Sequence, residues 1–384
     1  MQTVVVADED WRVVLSMFPE GWREQAKTTG ALVRCRNFDG PESLLRVLMM
    51  HLTDGCSLRE TAVRAEQSGL AQVTDVALLK RLKGCGEWFR WIAQGLMKRC
   101  ASTRPEELFG QMRVRLVDGS IVNEPGATGS TWRLHYSFSL SGLNCDEVYV
   151  TGPKIGESFK RFAVAAGDLM VGDRGYAHRE GIAYVVNAGG HVLVRANLTN
   201  VPLEDGAGRA FPLLHHLRAL KHVQLGDWAV WIKTSASKGA ERIPLRICAI
   251  KKSVQATEKA RQKLLREAKK GREVHPDTLE AAGYIFVLTS LPREHYPPAA
   301  VLEMYRGRWQ IELAFKRLKS LIGIGHLKKT DIEGAGAWLQ GKLMVAFLIE
   351  NLIAAGECVS PWGYPITQDS EVLLEGDIAY APAG

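Results

Sequence analysis

The sequence has no pattern of a zinc ribbon or a disulfide framework. Its seven cysteines (35, 56, 85, 100, 145, 248 and 358) are scattered over 384 residues. They form no CxxC pair and no Cys/His spacing suited to structural zinc. An odd, dispersed set is expected to be reduced thiols, as in a cytoplasm. No uninterrupted apolar run approaches the ~20 residues of a bilayer crossing, so no membrane partner is expected. Met1-Gln2-Thr3-Val4 lacks the basic-then-apolar order of a signal peptide. Internal repeats are also missing, which argues against a solenoid. Hydrophobic residues make up 46% and charged residues 24%, the balance of a folded globular chain long enough for two or three domains.

The net charge of +7 says less than where it sits. Residues 251 to 272 hold nine Lys or Arg against two Glu, a surplus equal to that of the whole chain. Lys259, Arg261, Lys263, Arg266, Lys269 and Lys270 form its centre, on a stretch that reads as a helix. A concentrated basic stretch suits a phosphate backbone. The same pattern also suits a solvated helix face.

The first hundred residues read as helical. Ser57-Leu58-Arg59-Glu60 has the capping-box pattern, and the helix it opens should end near Gly69. A second helix should start at Thr74-Asp75, with Val76, Leu78, Leu79 and Leu82 as its apolar stripe. Such a pair can be a helix-turn-helix or an ordinary element of an α domain. Strands follow from residue 113: Arg113–Val117 ahead of an Asp118-Gly119-Ser120 turn, His135–Leu140, and Glu147–Val150, an antiparallel meander. Phe159 to Ala166 reads as a helix. Leu169–Gly172 is a short buried strand ending at Asp173, followed by a helix near 179–188 and a strand at His191–Arg195. Residues 197 to 283 look like an insertion with two strands and the basic helix. Tyr284–Thr289 returns to core texture, and Pro297-Pro298 opens a long helix near 299–321. A second helix spans about 334–355. The last 21 residues carry four acids and no Lys or Arg, and read as a loose tail.

Asp118 and Asp173 both close apolar strands and both have a glycine just behind them. Strand ends gather ligands and metals, although a lone Asp there is also a common turn former. A third carboxylate lies downstream in the helix from 299. At 100° per residue Tyr305, Arg308, Glu312 and Lys319 fall within about 60° of one another, between two apolar flanks. That stripe suits a site facing the core, or a structural Glu-Arg-Lys network.

With these residues in view, the chain resembles the DDE-type insertion-sequence transposases, specifically insertion-sequence family four. The family signature is Tyr, two residues, Arg, three residues, Glu, six residues, Lys, and it fits at Tyr305, Arg308, Glu312 and Lys319. Leu116-Val117-Asp118-Gly119-Ser120 and Gly172-Asp173-Arg174-Gly175-Tyr176 fit the two Asp contexts. Smaller matches are Trp132–Tyr136, Leu288–Pro292 and Ser360-Pro361-Trp362, and the resemblance covers roughly 40 to 362.

The resemblance implies a mixed α/β fold: an RNase H-like core with a β-rich insertion, plus an N-terminal α-helical domain. On that scheme the helical DNA-binding domain is 1–105 and the core is 106–196 and 284–325. The insertion is 197–283, and a C-terminal helix and tail occupy 326–384. It implies that Asp118, Asp173 and Glu312 are catalytic and hold two Mg²⁺ ions, with Mn²⁺ as substitute. Arg174, Tyr305, Arg308 and Lys319 would grip DNA at the terminal inverted repeats and the target, in a homodimer. Relatives nick an element end, form a hairpin and join the freed 3′-OH to target DNA. Some place a stacking Trp just ahead of the strand matched by 285–289. Here the nearest aromatic is Tyr284, the candidate for holding a flipped base. Two alternatives stay open: an RNase H-like nuclease that joins no strands, and an inactive DNA-binding relative.

Overall fold

The computed structural model describes residues 11–102, 112–123, 132–140, 144–221, 224–235, 241–268, 273–312, 316, 323–324, 327 and 331–357. The chain divides into two compact units, Met1–Thr103 with Gln340–Gly384, and Arg104–Leu339.

The first unit is helical: α1 (Trp22–Thr28), α2 (Pro41–Thr53), α3 (Leu58–Gln67), α4 (Asp75–Gly84), α5 (Gly86–Ser102) and the later part of α11 (Ile332–Glu357). The caps read from the sequence are in place. The Ser57 hydroxyl accepts from Glu60 N at 3.1 Å and that of Thr74 from Ala77 N at 3.2 Å. The Glu60 carboxylate pairs with Arg64 at 2.9 Å. Leu78 and Leu82 are buried, whereas Val76 is 60% exposed and leaves the expected stripe. Leu44, Leu48, Leu52, Trp88, Phe89 and Leu96 build the core with Leu343, Phe347 and Leu348 of α11. Gly341 lets α11 approach closely, since a Cβ there would stand 2.7 Å from Leu52. The sequence reading set the C-terminal helix apart, yet from Gln340 onward it belongs to this unit. By length and composition Ile332–Ala355 could cross a membrane, but 67% of its apolar 18-residue window is buried in the fold. Buried Asn351 donates to Leu96 O and Phe347 O, which suits a core helix.

The second unit is built on one mixed sheet. Its strands are β1 (Arg113–Val122), β2 (Trp132–Ser139), β3 (Asn144–Thr151), β4 (Asp168–Gly172), β5 (His191–Arg195), β6 (Leu203–Glu204), β7 (Leu225–Lys233), β8 (Arg242–Lys251) and β9 (Tyr284–Thr289). The spatial order is β3-β2-β1-β4-β5-β9-β8-β7-β6. β1, β4 and β5 run parallel, and every other neighbouring pair is antiparallel. The inserted strands therefore extend the same sheet, with β9 as the seam. Helices α6 (Arg179–Asn187), α7 (Leu213–Arg218), α8 (Val254–Glu267), α9 (Pro276–Ala281) and α10 (Pro298–Arg306) complete it.

Three expectations change here. β1 does not stop at Val117 but runs through Asp118-Gly119-Ser120 to Val122, because β2 pairs with it residue by residue. The helix expected over Phe159 to Ala166 is a single 3-10 turn, Phe159–Arg161. One turn is enough to bury both Phe159 and Phe162, which satisfies the i, i+3 apolar spacing. The helix near 299–321 breaks at Gly307, where bonding tightens to Arg308 N→Tyr305 O and Gln310 N→Gly307 O, and helix resumes at 309.

An ion network fixes the register that matters. Arg113 makes two bonds to Asp168, at 2.7 and 2.8 Å. Buried Arg115 reaches Asp146 at 2.7 Å, Glu147 at 2.6 Å and Asp168 at 3.3 Å. Arg113 and Asp168 are also register partners of β1 and β4. A one-residue slip would move every side chain of β1 to the other face. The network stands at the N-terminal end of β1, ahead of Asp118.

Candidate active site and nucleic-acid interface

The parallel register carries Asp118 to Asp173. Leu116 stands opposite Val171, so the residues two positions on face the same side of the sheet. Asp173 begins the turn after β4, its Oδ1 accepting from Gly175 N at 2.7 Å. Asp118 accepts from its neighbour Gly119 N at 2.8 Å. Its side chain is 19% exposed. Burial pushes the Asp118 carboxyl up to about 6, with Asp173 and Glu157 adding repulsion against the pull of the Gly119 amide and Arg308. Two adjacent acids in a poorly hydrated place carry a surplus of negative charge that a cation relieves.

Arg308 supplies part of that cation. Its guanidinium lies 4.0 Å from Asp118 and also pairs with Glu312. Burial opposes its charge, but Tyr305, Glu312 and Asp118 together raise its pKa. Tyr305 is itself pushed up by burial. The structure thus links Asp118, Arg308 and Glu312 in a chain, with Glu312 held by Arg308 and its side chain 59% exposed. Among the described residues no three metal-ligating side chains form a finished cage. Lys319, Lys269 and Lys270 lie outside the described residues.

Glu157 was not singled out from the sequence. Its carboxylate crowds Gly119 and Gly175: a Cβ on Gly119 would stand 2.5 Å from its Oε1, and one on Gly175 would collide with Oε2. Arg133 grips it at 3.3 Å, and His178 Nε2 bonds its carbonyl at 2.9 Å. Burial and then Asp173 push its ionisation upward. The glycines behind the two aspartates were legible; what they make room for was not.

Residues 153–348 match the family described as Transposase DDE domain, a span that takes in Asp173, Arg308 and Glu312. InsL of insertion sequence element IS186A from Escherichia coli (strain K12) is 35% identical over 351 residues, 90% of this chain and 94% of that protein. The chain belongs to the insertion-sequence DDE transposases. The transposase for insertion sequence element IS421 from Escherichia coli is also 35% identical, over 90% of this chain and 94% of its own. A transposase for insertion sequence element IS231F from Bacillus thuringiensis subsp. israelensis is 25% identical over 48% of this chain and 41% of its own.

Two candidate interface features of this transposase come out differently. Tyr284, the base-flipping candidate, is 7% exposed and packed in the core with Phe286 and Leu288. That is a correction: as the first residue of the seam strand it covers the core and offers no free ring face. Trp309, beside Arg308, is 52% exposed. The basic helix α8 contains no buried residue. Arg261 donates to Leu279 O at 3.1 Å and Lys263 lies 3.7 Å from Glu267, while Lys259 and Arg266 are exposed. The five cysteines seen, Cys35, Cys56, Cys85, Cys145 and Cys248, are free thiols.

Proposed function

We propose that this transposase moves its insertion sequence by cut-and-paste transposition, as a member of family four, acting on DNA in the bacterial cytoplasm. One observation carries the reading: Asp118 and Asp173 share one sheet face, with Arg308 and Glu312 over them. The β3-β2-β1-β4-β5 order, with β1, β4 and β5 parallel and β2 reversed, supports an RNase H-like core. Residues 106–196 and 284–325 form that core, 197–283 is its β-rich insertion, and 1–105 is a DNA-binding domain using α3 and α4. The segment 326–384 closes the chain, and two copies act together on paired element ends.

The donor set fits Mg²⁺ or Mn²⁺: all oxygen, crowded, and short of positive charge. Asp118, Asp173 and Glu312 would hold the ions. When bound, a pair of such ions activates an attacking oxygen and neutralises a leaving one. Arg308 neutralises Asp118 until then, and Glu312 is free to rotate from Arg308 because its side chain is half exposed. Arg308 can then turn to a phosphate oxygen, with the Tyr305 hydroxyl beside it. Trp309, beside Arg308, is an exposed aromatic available to stack on a displaced base in a hairpin step.

The decisive experiment is a strand-transfer assay with end-labelled DNA bearing the terminal repeats. Joined product is the expected result. Cleavage without joining would support a nuclease instead, and binding without either reaction would support an inactive relative.

α8 is a separate candidate part of the interface. A helix with no buried face must draw its value from solvent or a partner. Replacing Lys259, Arg261, Lys263 and Arg266 by Gln is expected to flatten the salt dependence of DNA binding. Each lost phosphate contact removes about 0.9 from the slope of log K against log salt. An unchanged slope would mark α8 as a solvated face.

A further inference from the structure

Along the rim that carries the two aspartates, acids give way to cations. Leu116 pairs with Val171 and Val171 with Leu193. Two residues on, Asp118, Asp173 and Arg195 therefore follow one another across β1, β4 and β5 on one face, each about 4.8 Å from the next strand. Past the seam the row reaches Cys248 of β8. Val287 of β9 pairs with both Arg195 and Cys248. Lys252 lies four residues beyond Cys248, just past the end of β8. Its place is fixed by Lys252 N donating to Gly283 O and Nζ to Ala282 O, both at 2.8 Å.

Arg174, Arg195 and Lys252 form no salt bridge among the described residues. The Arg174 Nε is buried without a hydrogen-bond partner. Around Lys252 the charged groups are Arg195 and Arg174, and around Arg174 they are Arg195, Tyr305 and Asp173. Burial, then Arg195 and Arg174, depress Lys252 to about 8, and Arg174 is lowered by burial and Arg195. Gathering like charges in a half-buried place costs stability unless an anion completes the set. Among the described residues the only acid near the set is Asp173, beside Arg174 and already facing Asp118, so the arrangement calls for a bound anion.

We propose that Arg174, Arg195 and Lys252 form a phosphate subsite that grips the DNA backbone on the β5 side of the Asp118–Asp173 pair. The inserted segment thereby contributes a residue to the catalytic rim. The subsite rests on the DNA-processing reading above. It holds the strand by two guanidinium groups and one ammonium, and fixes where the strand crosses the aspartates.

The test is fluorescence anisotropy of the full-length protein with a labelled duplex bearing the element's terminal repeat, without divalent metal. Lys252→Gln is expected to weaken binding about tenfold and to lower the salt slope by nearly one unit. Wild-type affinity is expected to fall between pH 7 and 9 as Lys252 loses its proton. Lys252→Arg, which keeps charge and fold, should hold its affinity over that range. Binding by Lys252→Gln within twofold of wild type, or a Lys252→Arg pH profile like that of wild type, overturns the proposal. If wild type still cleaves the duplex with Mg²⁺ in that case, the subsite alone fails. A wild type that neither binds nor cleaves sinks the transposition reading and the subsite together.

Discussion

Asp173→Ala is expected to abolish metal-dependent cleavage, by at least about 10³-fold, while leaving affinity for element ends within a few-fold of wild type. The two effects separate because they have different physical sources. Affinity for DNA comes mainly from phosphate neutralisation by Lys and Arg. Asp173 contributes none of that, and its removal takes away one negative charge beside the DNA path. The chemical step depends on charge stabilisation worth several kcal/mol, where about 4 kcal/mol is 10³-fold. Asp173 sits at the rim, its Oδ1 bonded to Gly175 N, so alanine frees one turn amide and disturbs no core side chain. Gel-shift binding with parallel cleavage assays in Mg²⁺ and Mn²⁺ measures both. Loss of binding equal to loss of cleavage would point to a folding role. Full cleavage would remove Asp173 from the site.

Much of this site could be read from the chain, and the exceptions have physical causes. Asp118 and Asp173 were legible because short apolar strands end or polarise at them. That they lie side by side depends on parallel pairing of β1 with β4, which no local pattern encodes. Asp118-Gly119-Ser120 has turn chemistry, but the β2 ladder holds it extended. The Tyr305–Lys319 stripe assumed an unbroken helix, and Gly307 breaks it. The bonding there nevertheless keeps Arg308 within reach of both Asp118 and Glu312. Tyr284 looked like a rim aromatic because it opens a strand; its burial follows from β9 lying between β5 and β8 instead of at an edge. Glu157 was invisible for a related reason: it sits in a loop, and only the fold brings its carboxylate beside Gly119 and Gly175. Lys252 was counted in the basic stretch, but its approach to Arg195 and Arg174 depends on the sheet.

Asp118→Asn is expected to stabilise the metal-free protein at neutral pH while removing its cleavage activity. The folded-state pKa of Asp118 lies at about 6, above the ordinary 3.8. A carboxyl whose pKa is raised by folding binds its proton more tightly folded than unfolded. Its charge therefore costs nothing below about pH 4, costs progressively more as pH rises toward 6, and imposes its full penalty above that. Two pKa units correspond to about 3 kcal/mol. Asparagine never carries the charge, and its amide oxygen can still accept from Gly119 N. At pH 7.5 the variant should therefore melt several degrees above wild type by calorimetry, with the gap closing as pH falls from 6 to 4. Mg²⁺ or Mn²⁺ should raise the melting temperature of wild type more than that of the variant, because a ligand stabilises the form that binds it. Equal melting at pH 7.5, or a gap that persists at pH 4, would mean that Asp118 is not held as a strained carboxylate. A gap with the predicted pH profile would show a catalytic acid kept in place against folding stability, with the ion network of Arg113, Arg115 and Asp168 at the N-terminal end of β1 holding the strand in register.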